Sequence, residues 1–155
     1  MNKKLWLIAL VVPVIAISLY LLPLNTVSYK TPVLEEKQLP VISHRQETWI
    51  RVLEWCESQG VITAVNPKDL DDTPSYYSFQ FKPSTFRYFG ELYEVIPKGL
   101  SEKQLMEEIK KYELQYAILV NMVANRDKIE WKRQFPACVK KYGLPPKADI
   151  VPTTP

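Results

Sequence analysis

The sequence predicts a mainly helical domain with a small loop or β-hairpin insert, preceded by an apolar segment long enough to cross a membrane. Three observations carry this expectation. Residues 5–24 form a block without a single charge. Two later stretches repeat apolar residues at spacings of three and four, the period of a helix with one buried face. Between them the run NPKDLDDTP concentrates turn formers and leads into a short aromatic stretch at 75–81.

The first element follows Met1-Asn2-Lys3-Lys4. At about 1.5 Å per residue, residues 5–24 span the roughly 30 Å hydrocarbon core. Pro13 and Pro23 interrupt the block, which membrane helices tolerate when neighbours re-satisfy the freed carbonyls. An uncleaved anchor is preferred over a cleaved signal peptide, because no small-x-small site follows. Lys3 and Lys4 favour a cytoplasmic N-terminus, so either reading exports the rest of the chain. The expected location is the cell membrane, single-pass with the C-terminal domain outside the cytoplasm, or secretion if the segment is removed. Residues 25–44 carry Pro32 and Pro40 with no apolar period and read as a linker. Residues 145–155, PPKADIVPTTP, read as a disordered Pro-rich tail, leaving 45–144 as the folded domain.

Within that domain, Trp49, Ile50, Leu53 and Cys56 lie at helical spacing over residues 45–58, and Gln59-Gly60 supplies a stop. Residues 66–74 form a loop leading into a short extended piece at 75–81. Pro83-Ser84-Thr85 offers a helix start. Ser101-Glu102-Lys103-Gln104 fits a capping box before Leu105, Met106, Ile109, Tyr112, Tyr116, Leu119 and Val123. The spacing allows one helix here or two split near Tyr112-Glu113. Residues 131–142 predict one more short helix, carrying Cys138 and closed by Gly143 and Pro145.

Composition narrows the chemistry. His44 is the single histidine, so a Ser/His/Asp or Cys/His site and a His-ligated zinc would all rest on one ring. Four glycines and no GxGxxG or GxxxxGK[ST] give nucleotide binding no support. Asp69, Asp71 and Asp72 resemble the start of a calcium loop but lack its glycine and closing glutamate. No metal and no cofactor is therefore expected. Basic residues toward the C-terminus contribute to a net charge of +3, which suits an anionic cell wall as well as a solvated helix face. Nucleic acid is not an expected partner of an exported chain, and the sequence sets no oligomeric state. Cys56 and Cys138 are the only cysteines. In an oxidising compartment an even pair is expected to bridge, two buried thiols being the alternative.

Glu57 is the residue singled out for catalysis. It lies four positions after Leu53 and seven after Ile50, on an otherwise apolar side, and in the last turn, where the helix dipole opposes a negative charge. Both effects raise a carboxyl pKa, as a general acid near neutral pH requires. An exposed helix-end glutamate is the alternative reading of the same position.

Cys56-Glu57-Ser58, Ala64 to Asp71, Thr73-Pro74-Ser75-Tyr76 and Phe79 to Phe86 occur in an order that resembles the lysozyme-like transglycosylase domain. Its relatives include soluble lytic transglycosylases, goose-type lysozymes and short bacterial forms. The resemblance runs from about Trp49 to Leu144, ending on Trp131, Phe135-Pro136-Ala137-Cys138 and Gly143-Leu144-Pro145. It implies a lysozyme-like fold and a peptidoglycan lytic transglycosylase, cleaving the β-1,4 bond between N-acetylmuramic acid and N-acetylglucosamine. Glu57 matches the family's acid, and Ser75, Phe79 and Gln80 match the stretch that shapes the sugar site. The same carboxylate then acts as base on the muramic acid 6-hydroxyl, giving a 1,6-anhydro product with no second carboxylate. Ordinary two-carboxylate hydrolysis would draw on Asp69, Asp71, Asp72 or Glu91. Tyr77 and Asp72 depart from the family, which has glycine at both positions, and a tyrosine there is expected to fill part of the groove. Tyr76 and Tyr77 are the expected sugar-stacking aromatics; the resemblance implies a tyrosine closing the site from a later helix, which Tyr112 or Tyr116 would match, a core position being the preferred reading of each. The alternatives are a catalytically weakened domain that binds glycan strands, and a bitopic envelope adaptor.

Overall fold

The computed structural model describes residues 38–69 and 71–148. The expected membrane segment at 5–24 lies outside the described residues, as do most of the linker and the last part of the tail. Among the described residues no helix is long and apolar enough to cross a membrane. They form six α-helices and one two-stranded sheet.

Helix α1, His44–Ser58, begins on a capping box: the Ser43 hydroxyl accepts from the Gln46 N–H, and the Gln46 side chain accepts from the Ser43 N–H. Its inner face buries Trp49, Ile50 and Leu53. It ends where Gln59 turns left-handed at φ 54°, followed by Gly60 at φ 78°. Strands β1, Val65–Asn66, and β2, Ser75–Tyr76, then pair antiparallel, with Val65 opposite Tyr76 and Asn66 opposite Ser75. Their connection is held by aspartate turns, with the Asp72 N–H donating to the Asp69 carbonyl and the Thr73 N–H to the Asp71 side chain.

Helix α2, Pro83–Leu92, starts on Pro83, whose missing N–H is no loss in a first turn. Gly90 is buried in it because a side chain there would press on Ile96, at 2.8 Å. The Ser101–Gln104 capping box opens α3, Glu102–Glu108, and the chain breaks before α4, Tyr112–Ala124. Two helices, not one, therefore occupy this region. Gln115, wholly buried in α4, joins three segments: it accepts from the Phe79 N–H and donates to the Ile109 carbonyl. Helix α4 buries Ile118, Leu119, Val120, Met122 and Val123, and both α1 and α2 pack on it.

The single helix expected over 131–142 is instead two, α5, Trp131–Gln134, and α6, Pro136–Tyr142, after a 3-10 turn at Arg126–Lys128. Proline disfavours helical backbone in the residue before it, and Phe135 accordingly adopts φ −135°, ψ 62°. The packed body is also longer than expected at both ends. Ile42 packs on the core and Ser43 caps α1, while Pro145 is buried and Pro146 accepts from the Gln46 side chain. Cys56 and Cys138 form a disulfide across 82 residues, joining α1 to α6. In the chain-entropy picture, closing a loop of this size stabilises by on the order of 4 to 5 kcal/mol.

Candidate active site

The spacing that buries Ile50 and Leu53 turns Glu57 inward in the last turn of α1, half-buried against a cleft of about 450 Å³. Three regions of the chain line this cleft. Helix α1 supplies Glu57. The hairpin and its exit supply Asp69, Asp71, Gln80, Phe81 and Lys82, continued by Ser84 and Thr85 at the start of α2. The far wall comes from Arg133, Gln134, Phe135, Pro136 and Ala137, next to the disulfide. One Glu57 carboxylate oxygen and the sulfurs of Cys56 and Cys138 all lie within 4.8 Å of one another. Because those sulfurs are bonded together, the trio offers no thiolate to a metal.

The Glu57 carboxyl is pushed up to about 7, chiefly by burial and secondarily by the negative charge of Asp69. Among the described residues no cation is bonded to it. Two cations line this cleft and both are engaged elsewhere: Lys82 serves the hairpin, bonding Asp71 and lying 3.9 Å from Asp69, and Arg133 pairs with Glu130 at 3.5 Å. Asp71 is held well below the usual carboxylate range by that lysine and by the Thr73 hydroxyl and N–H.

Of the residues expected to bind substrate, Gln80 lines the cleft. Its amide is fully used from within: Nε2 donates to the Tyr77 carbonyl at 2.7 Å and the Ala64 carbonyl at 3.2 Å, and Oε1 accepts from the Ser75 hydroxyl at 2.9 Å. Gln80 and buried Ser75 thus brace the cleft floor. Phe79 does not belong to a binding surface, because it is wholly buried and stacks under Tyr112 at 5.9 Å. Tyr76 and Tyr77 are half-buried, pack on the core and do not line this cleft. Tyr112 is partly exposed, with its hydroxyl on Glu54 at 3.3 Å and its ring stacked on Tyr116, so it too stands apart from the Glu57 cleft.

Tyr77 and Asp72 have φ of 62° and 58°. The left-handed conformations that glycine would adopt freely are present without glycine. The Tyr77 ring is directed into packing and does not fill the cleft beside Glu57, contrary to expectation.

A second opening of about 700 Å³ shares Ser84, Thr85, Arg133 and Gln134 with the first and is lined by Tyr88, Phe89, Leu92, Tyr93 and Lys128. Tyr88 and Tyr93, aromatics of this opening, were not singled out in the sequence. The helical spacing of Ser84, Thr85 and Tyr88 from Pro83 was the available signal.

Comparison with known protein families, with characterised proteins and with solved structures finds no match to this chain.

Proposed function

We propose that the chain is a lysozyme-like peptidoglycan lytic transglycosylase, held to the membrane by residues 5–24 with its catalytic domain outside the cytoplasm. The observation that carries this reading is Glu57, a carboxyl in an open cleft whose proton is retained toward neutral pH. Such a group donates to a glycosidic oxygen as the bond breaks through an oxocarbenium-like state, and general acid catalysis contributes roughly 10²- to 10⁴-fold. The resulting carboxylate takes the proton of the muramic acid 6-hydroxyl, which closes on the anomeric carbon and leaves a 1,6-anhydro end. The negative charge of Asp69 in the same cleft favours the cationic transition state.

Asp69 also motivates a second reading, hydrolysis by two carboxyls with Asp69 positioning a water. The adaptor alternative rests on the anchor and tether; an exposed Glu57 remote from any cleft would favour it, and Glu57 is instead half-buried and lines a cleft. The weakened-binder alternative loses its steric motive, since Tyr77 leaves the Glu57 cleft open.

The test uses the full chain in detergent with purified cell-wall sacculi, the released fragments being analysed by mass spectrometry. Wild type is expected to release 1,6-anhydro muropeptides and Glu57→Gln none. Reducing ends in place of anhydro ends would select hydrolysis. Equal inertness of wild type and variant would remove the enzymatic reading.

A further inference from the structure

We propose that Cys56 and Cys138 are positioning residues for Glu57, their disulfide clamping the two walls of the cleft so that the carboxyl acts as an acid only in the oxidised chain. For its activity this inference rests on the function proposed above; its structural core does not.

Four observations lead to it. The bridge joins the walls themselves: Cys56 directly precedes Glu57, and Cys138 directly follows Ala137 on the facing wall. The sulfurs lie beside the reactive group, within 4.8 Å of a carboxylate oxygen. Cys138 is almost fully buried, so the bridge presents apolar sulfur and excludes water from that side of the carboxyl. Finally, the polar ties between α1 and the C-terminal end sit at the other end of α1. The Trp49 indole N–H donates to the Gly143 carbonyl and the Gln46 side chain to the Pro146 carbonyl. Trp49 precedes Glu57 by eight residues, about 12 Å along a helix. Opening the bridge therefore removes the covalent tie between the two cleft walls beside Glu57, while Leu53 and the Tyr112–Glu54 hydrogen bond still hold this end of α1 to α4.

The charged groups facing Glu57 in the cleft are Asp69 and Asp71 with their partner Lys82, and Arg133 on the far wall. Lys82 is bonded to Asp71 and Arg133 pairs with Glu130, not with the bridge. What changes is access of water to Glu57. Its pKa then falls toward the ordinary carboxyl value of 4.5. At pH 7 a carboxyl of pKa about 7 is half protonated, whereas one of 4.5 is about 0.3 % protonated. The rate at neutral pH is expected to fall by up to roughly a hundredfold. The thiol form, which a reducing cytoplasm maintains, is the inactive one, and export into an oxidising compartment completes the site.

The test compares the oxidised full chain with the same chain treated with dithiothreitol, a dithiol that reduces the S–S bond to two thiols as it becomes a cyclic disulfide. The Glu57 carboxyl is followed by carbon NMR, the fold by circular dichroism, and product release from sacculi across pH. The expected result is a folded reduced chain with Glu57 titrating well below its oxidised midpoint. The upper limb of the rate profile moves to lower pH by the same amount, and reoxidation restores both. Should reduction unfold the chain, the Cys56→Ala/Cys138→Val variant, which keeps an apolar fill without the crosslink, carries the same comparison. An unchanged Glu57 midpoint in the folded, uncrosslinked protein overturns the proposal. If the midpoint follows the bridge but no form cuts sacculi, the enzymatic reading fails and the clamp stands. If all forms cut equally, the clamp fails and the enzyme stands.

Discussion

Glu57 at the end of α1 and Asp71 in the hairpin turn line one cleft, yet the first is held toward its protonated form near neutrality and the second is held ionised. The chemistry of the two groups is nearly the same. Their surroundings differ: Glu57 is half-buried beside apolar sulfur and the negative Asp69, whereas Asp71 is exposed and bonded to Lys82 and Thr73. Burial without a cation keeps a proton, and a cation with donors removes it. Pairs of carboxyls driven apart in this way mark out which one serves as the acid. Here Lys82 is engaged by the hairpin and Arg133 by Glu130, and neither is bonded to the helix-end carboxyl.

The comparison breaks most visibly at Glu57. Glu57→Gln is expected to cut product release from sacculi by roughly 10²- to 10⁴-fold with the fold intact. The same variant is expected to be more stable than wild type at high pH. The sign follows from linkage: a carboxyl whose folded pKa is raised destabilises the fold once it ionises, so stability falls as pH climbs from 4.5 toward about 7. Thermal or urea unfolding at about pH 8 should show a gain of up to about 3 kcal/mol, an upper bound since water still reaches the group. At about pH 4 the two proteins should be equal. A gain independent of pH would mean that Glu57 acts on stability through packing alone.

Lys82→Met makes the second region resemble the first. Asp71 is expected to return toward the ordinary carboxylate range, and Glu57, facing acids without their cation, to titrate still higher. The upper limb of the pH–rate profile then moves to higher pH. The stability cost should be small, as for a largely solvated ion pair; because Asp71 is held ionised well below the usual carboxylate range, the cost should begin to shrink only as pH falls below the ordinary value of 3.8 and be lost below that range. An unmoved limb would show that the hairpin charges do not reach Glu57. The smallest effect is expected at Asp72→Gly, which relieves a left-handed residue in the exposed turn and should shift stability by less than about 1 kcal/mol without altering either carboxyl.

The elements were legible where a local rule acts alone. Trp49, Ile50 and Leu53 specify α1 by period, Pro83 starts α2 by its missing N–H, and Ser101 with Gln104 closes a capping box readable from four residues. The break at Phe135 also follows a local rule, the restriction before Pro136, which the apolar pattern of 131–142 concealed. Glu57 was legible as half-withdrawn from water because it continues the Ile50 and Leu53 face. The principal source of its raised pKa, burial, was legible with it; the secondary one was not, since Asp69 comes near only through the hairpin. The far wall, Arg133 to Ala137, was legible only in part: the expected bridge from Cys56 to Cys138 brings Ala137 near Glu57, but the break at Phe135 that shapes the rest of the wall was concealed. Aromatic composition could not separate core from groove. Phe79 is consumed by packing under α4, in a turn where Tyr77 and Gln80 adopt left-handed backbone that no glycine announces, while Tyr88 stands in the open on α2.

The most direct measurement is the titration of the Glu57 carboxyl in the oxidised full chain, by carbon NMR with Glu57→Gln identifying its resonance. A midpoint near 7 is the expected result. A midpoint near 4.5, the value of an ordinary glutamate, would contradict the account, since the cleft would then hold a carboxylate with no proton to give.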